Sequence, residues 1–176
     1  MKNGFTTTIL HSDLESPIEH HSVHKPMHMA VAFGYPDARE LAKVFKGEAS
    51  GYAYGRQGNP TTAALEIKVT KMEDGVATAC FSTGMAAIAA AFVALLRAGD
   101  HVVSSSFLFG NTNSLFGTFN SLGCDISFVD ATDVRNVERA LRPNTRMVFV
   151  ETIANPRTQI ADLARIGDLC AGRGVL

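Results

Sequence analysis

The chain has 176 residues, a net charge of −1 at pH 7, 46% hydrophobic residues and 19% charged ones. This is enough apolar material for a folded domain with a core, and too little charge imbalance for a nucleic-acid surface or a disordered chain. The longest apolar run, residues 85–96, is too short and alanine-rich to cross a bilayer, and MKNGFTTTILHSD at the start lacks the apolar centre of a secretory signal. Cys80, Cys124 and Cys170 are odd in number and unevenly spaced, which fits reduced thiols in a cytoplasmic core better than a disulfide frame.

Residues 1–35 show no steady period and hold five of the six histidines. His20, His24 and His28 are four apart, a metal-binding face if helical, but Pro26 interrupts that helix and no cysteine or carboxylate completes the set. A polar arm over a surface is the expectation. Residues 37–45 read as a short helix with Asp37 at its N-cap and Gly47 just past its end. The loop GYAYGRQGNPT at 51–61 ends in Asn59-Pro60, an N-cap followed by a first-turn proline. In the following helix, 61–72, the spacing puts Ala64, Leu65, Val69 and Met72 inward and Glu66, Lys68 and Lys71 outward. Tyr54 and Arg56, two apart ahead of this helix, can aim a hydroxyl and a guanidinium at one phosphate; for this dipeptide alone a surface turn with an incidental arginine is the better reading.

The organising stretch follows, VATACFSTGMAAIAAAFVALL at 76–96. Residues 76–81 read as a buried strand, Ser82, Thr83 and Gly84 as a tight turn, and the run from Met85 as a helix. The first N–H groups of such a helix, with its dipole behind them, form an anion site that suits phosphate. The pattern then repeats. Ala98-Gly99-Asp100 is a turn, His101-Val102-Val103 begins a strand, and Ser104, Ser105 and Ser106 lead into an aromatic loop passing into a helix that stops near Gly123. Strands at 125–129 and 146–150 are separated by a helix at 134–141; the turn at Asn155-Pro156 leads to a helix at 161–170, with Gly174 as its end signal. This alternation predicts an α/β fold with a mainly parallel sheet and flanking helices. It calls for another strand from Val175, so the sequence reads as the front part of a longer protein. Ligands of such sheets gather at the carboxyl ends of the strands. A dinucleotide or S-adenosylmethionine domain is disfavoured, because the turn at Ser82 has one glycine where G-x-G-x-x-G needs three. There is no P-loop motif, and no G-x-S-x-G around Ser82.

Three motifs in register, Y-A-Y-G-R-Q-G-N-P-T at 52–61, S-T-G-M-A-A-I at 82–88 and E-T-I-A-N-P at 151–156, resemble the Cys/Met-metabolism family of pyridoxal-phosphate enzymes. That family includes cystathionine γ-synthase, cystathionine γ-lyase, methionine γ-lyase and the O-acylhomoserine sulfhydrylases. The resemblance implies a fold-type I transferase truncated before its catalytic lysine, with residues 1–58 as an arm and short helix contacting a partner subunit and 59–176 as the first part of the cofactor domain. It implies pyridoxal 5'-phosphate as cofactor. Tyr54 and Arg56 would reach the phosphate of the neighbouring subunit, while Ser82, Thr83, Gly84 and Met85 form the phosphate turn within the same subunit. Phe109 would stack on the ring, Asn155 lie beside the ring oxygen, and Glu151 support the turn. Many members have tyrosine at the position of Phe109, whose ring can stack but has no proton to move. No catalytic residue falls within the 176 residues, since the family's lysine lies some way beyond the E-x-x-x-N-P motif, and Lys68 and Lys71 stand in no matching motif. The implied activity is γ-replacement or γ-elimination on homoserine esters, cystathionine or methionine in a cytoplasmic homodimer or homotetramer, with the isolated chain inactive. The alternative is a non-catalytic binding or dimerisation module derived from such an enzyme.

Overall fold

In a computed structural model, residues 4–12 and 17–176 are described. The chain divides into two compact units, Met1–Phe81 and Ser82–Leu176.

The first unit is helical. Helix α1 spans Phe5–His11, where an irregular arm was expected, and a short 3₁₀ turn covers Glu19–His21. Helix α2, Ala38–Phe45, starts as predicted, with the Asp37 carboxylate accepting from the Arg39 N–H at 2.8 Å. Gly47 lies just beyond its end at φ +73°, the left-handed conformation that glycine adopts without strain. Helix α3, Pro60–Met72, begins at the predicted Asn59-Pro60 pair: the Asn59 side chain accepts from the Thr61 N–H at 2.8 Å. The Asn59 amide also donates to the His28 carbonyl at 3.0 Å, tying the arm to the start of α3. Among the described residues no histidine cluster can hold a metal.

Two expectations fail in this unit. Leu65 and Ile67 on α3 are exposed, while Glu66, Lys68 and Lys71 are half-buried, so the inward and outward faces do not separate as the spacing suggests. Glu66 is drawn in because its carboxylate accepts the Cys80 N–H at 3.0 Å. The second failure is the strand at 76–81, which does not form. Among the described residues no strand lies beside it, and a strand without a ladder partner is not stable. The segment instead ties itself to α3 through side chains, Thr78 Oγ1 to Thr70 Oγ1 at 2.8 Å and Cys80 to Glu66. Val76 and Phe81 consequently stay exposed.

The second unit has the predicted α/β architecture. Strands β1 (His101–Ser105), β2 (Asp125–Val129) and β3 (Thr145–Phe149) form a parallel sheet in the order β2-β1-β3. Leu176 continues the pattern beside β3, accepting from the Val148 N–H at 2.7 Å and donating to the Arg146 carbonyl at 3.1 Å. Every residue of β1 is buried, as expected of a central parallel strand covered on both faces. Helices α4 (Gly84–Leu95) and α5 (Gly110–Ser121) cover one face, on Val102 and Met147. Helices α6 (Val134–Ala140) and α7 (Leu163–Arg173) cover the other, on Val103. The first face is an aromatic cluster: Phe92 of α4 meets Phe116 edge-on at 5.0 Å and Phe149 at 5.7 Å. Among the described residues, all hydrophobic side chains that are fully buried lie at or beyond Phe92. No described helix is long and apolar enough to cross a membrane.

Candidate functional site

Helix α4 starts at Gly84, with Thr83 extended as its N-cap and the Thr83 hydroxyl accepting from the Ala86 N–H at 3.1 Å. The N–H groups of Gly84 and Met85 lie in the first turn, where a helix offers no internal acceptor. Ser82, Thr83 and Gly84 are exposed, and a Cβ built on Gly84 meets nothing within 4 Å. The start of α4 is therefore an open cradle of N–H donors at the positive end of a three-turn helix. It is held beside the next helix by Thr112 of α5, which is buried and whose hydroxyl approaches Met85 Sδ at 3.9 Å.

At the carboxyl end of β1 the chain runs through Ser106 to Phe109, the N-cap of α5, which has no side-chain cap of its own. Phe109 is 45% exposed. Beyond the carboxyl end of β3, Glu151 to Ala161 form a turn closed by Ala154 N–H to Gln159 carbonyl (2.9 Å) and Thr158 N–H to Ala154 carbonyl (2.7 Å), with a cis bond at Asn155-Pro156. The Glu151 carboxylate joins the two loops: Oε1 accepts the Phe109 N–H at 2.8 Å and Oε2 the Asn155 N–H at 3.3 Å. Between the loops is a cavity of about 260 Å³ lined by Ser106, Phe107, Leu108, Asn155, Arg157 and Gln159, among others. One acceptor facing this region, Gln159 Oε1, is buried with no hydrogen-bond partner.

The residues singled out in the sequence thus fall into two sets. Ser82, Thr83, Gly84, Met85, Phe109 and Asn155 all belong to the second unit, the first four at the start of α4 and the last two on the loops that follow β1 and β3. Tyr54 and Arg56 belong to the first, on the loop bridged to Ala32, with the Arg56 guanidinium 5.7 Å from the Tyr54 ring centre. Thr112 escapes a sequence reading because it carries no motif, and the bond from Glu151, expected only to support its own turn, to Phe109 spans 42 residues with no local signal.

At the opposite end of the sheet, His101 is fully buried. Its Nδ1 lies 2.8 Å from Thr145 Oγ1 on β3 and its Nε2 3.0 Å from Ser127 Oγ on β2. Arg142 adds two bonds, from its Nη2 to Ser127 Oγ at 3.0 Å and from its backbone N–H to Thr145 Oγ1 at 2.7 Å, and pairs with Asp125. Burial pushes the His101 pKa down from 6.5; Arg142 lowers it further, and Asp125 partly opposes both. This group is saturated internally and offers nothing to a ligand.

The donors at the start of α4 fit a phosphate group, and the exposed Phe109 ring offers a flat apolar face for a heterocycle. A covalent anchor for an aldehyde is not part of this unit, since residues 82–176 contain no lysine. A family model described as Cys/Met metabolism PLP-dependent enzyme matches residues 6–176. L-methionine gamma-lyase of Fusobacterium nucleatum subsp. nucleatum is 35% identical over 169 residues, covering 96% of this chain and 42% of that protein. Cystathionine gamma-lyase of Bacillus subtilis is 36% identical over 171 residues, covering 97% of this chain and 43% of that protein. The crystal structure of a putative O-acetylhomoserine (thiol)-lyase from Campylobacter jejuni, containing N'-pyridoxyl-lysine-5'-monophosphate, superposes with a TM-score of 0.84 at 25% identity, over 99% of this chain and 43% of that one. The chain therefore spans less than half the length of these relatives, and it belongs to the Cys/Met metabolism family of PLP-dependent enzymes.

Proposed function

We propose that the chain is the phosphate-binding half of a pyridoxal-phosphate enzyme acting on sulfur amino acids or homoserine esters, by γ-replacement or γ-elimination. The observation that carries this reading is the open start of α4, capped by Thr83, in the same unit as Phe109 and Asn155 on their shared carboxylate. When bound, the cofactor supplies the electron sink that lets a proton leave the carbon bearing the amino group.

The chain's own residues do the rest of the holding. Gly84 and Met85 donate their N–H groups to the phosphate, with Ser82 and Thr83 lining that turn. Phe109 covers one face of the ring, and Asn155 directs its amide at the ring oxygen. Having no hydroxyl, Phe109 moves no proton, so the proton transfers that replacement and elimination share fall to other groups. Tyr54 and Arg56 complete the phosphate site of a second copy, in a homodimer or homotetramer, with residues 1–58 as the contacting arm. The three free cysteines, two of them buried, accord with a cytoplasmic setting. With no lysine in residues 82–176, the chain by itself holds the cofactor without reacting.

The test is a titration of the chain with pyridoxal phosphate and with inorganic phosphate, beside the variant Gly84→Pro. Proline is tolerated at the first helical position and removes one donor, and Thr83, at φ −146° and ψ 155°, already has the extended backbone that a following proline demands. Affinity for both ligands should fall about tenfold with the melting temperature unchanged, the loss expected of one hydrogen bond to a charged group. Equal binding by both proteins would sink the phosphate assignment. A stoichiometric pyridoxyl adduct after borohydride treatment of the chain would overturn the claim that it lacks the anchor.

A further inference from the structure

We propose that Glu151 is a positioning residue that sets the ring-contacting side chains Phe109 and Asn155 together, through the two backbone N–H groups its carboxylate accepts. The proposal rests on the pyridoxal-phosphate reading above and adds a residue that touches no part of the cofactor.

The argument starts from exposure. Phe109 and Asn155 are both exposed, so core packing does not hold either side chain in place. Their positions must come from the backbone. The turn that contains Asn155 is closed upon itself by the bonds between Ala154, Thr158 and Gln159, none of which reaches the loop after β1. Phe109 N-caps α5 and has no side chain able to cap it. Glu151 supplies what both lack. One oxygen takes the Phe109 N–H at 2.8 Å and the other the Asn155 N–H at 3.3 Å. Both bonds are exposed, and each is charge-assisted because the acceptor is a carboxylate, which makes it stronger than a bond between neutral groups. Its negative charge also lies at the start of α5, a twelve-residue helix, where the dipole favours it. A single side chain therefore fixes the separation of a stacking ring and an amide contributed by the loops that follow two different strands.

Substitution Glu151→Gln separates this role from general support. Glutamine keeps the length and one acceptor but turns an NH₂ group toward the second N–H. Hydrogen exchange at the Phe109 or Asn155 amide should quicken at least tenfold, with the other amides of α5 and β3 unchanged. Pyridoxal phosphate should bind about tenfold more weakly, while inorganic phosphate, held at the start of α4, should bind within twofold of the parent. Glu151→Asp, which keeps the charge on a shorter arm, should recover part of the loss. Unchanged protection at both amides would overturn the proposal. So would a parallel loss of phosphate and pyridoxal-phosphate binding, which would mark Glu151 as merely structural. A parent that binds pyridoxal phosphate while Glu151→Gln binds it equally well refutes the positioning role alone. A parent that binds none refutes the cofactor reading and this proposal with it.

Discussion

The two ends of the three-stranded sheet handle polar groups in opposite ways. At the amino end, His101, Ser127, Thr145 and Arg142 satisfy one another across all three strands, and His101 and Thr145 are shut away from solvent. At the carboxyl end, Ser82, Thr83, Gly84, Phe109 and Asn155 are exposed, and the first N–H groups of α4 have no internal acceptor. Polarity that is closed in on itself stabilises a fold, whereas polarity left open is available to a ligand. One sheet thus separates the group that holds it together from the residues left open to solvent.

The sharpest way to break this contrast is His101→Ala. It removes a buried ring and leaves the Thr145 and Ser127 hydroxyls with only their Arg142 bonds, so unfolding free energy should drop by ~2–4 kcal/mol in urea titration. Phosphate binding at the far end should persist wherever the protein remains folded. A loss below ~1 kcal/mol would show that the amino end is not closed as described.

Acid should act at the same place more gently, because protonation leaves the ring and both hydroxyls where they are. The folded pKa of His101 lies below 6.5, so the unfolded chain takes up the proton first as pH falls. The contribution of His101 is complete above pH 6.5 and declines as pH drops from there toward the folded value. In His101→Gln this part of the pH dependence of the melting temperature should vanish; its survival would place the titration elsewhere.

Thr83→Ala probes the open end and should be the mildest of the three. It deletes the bond to Ala86 and should destabilise α4 by ~1 kcal/mol, with Thr83→Ser restoring most of it. If Thr83→Ala costs as much as the histidine deletion, the two ends are not divided as argued.

How far these features could be read in advance depends on how local their causes are. Asp37, the Asn59-Pro60 pair and Gly174 mark helix boundaries through bonds to residues two to four positions away, so they were legible. The alternation from His101 onward was legible too, since each unit supplies its own strand and covering helix. The segment 76–81 was misread because a strand is not a local object: the same residues without a neighbour bond to Glu66 and Thr70 instead. Leu65 was misplaced because its spacing shows which residues share a face and not which face is covered. The helix start at Gly84 was readable from the small-residue turn Ser82-Thr83-Gly84 alone. The tie from Glu151 to Phe109 was not, since only folding brings positions 42 apart together. His101 read as an ordinary strand start, because its partners lie on two later strands.

The phenylalanine cluster beneath α4 has an optical consequence. The chain has no tryptophan, and its three tyrosines, Tyr35, Tyr52 and Tyr54, all belong to Met1–Phe81. The core of Ser82–Leu176 is built on Phe92, Phe116, Phe119 and Phe149, which absorb and emit weakly. Tyrosine emission therefore follows the first unit and is nearly blind to the second. A single tryptophan in place of Phe128, at the sheet edge 5.9 Å from Phe116, would give the second unit a signal of its own. The melting of the two units then becomes separable by colour within one sample.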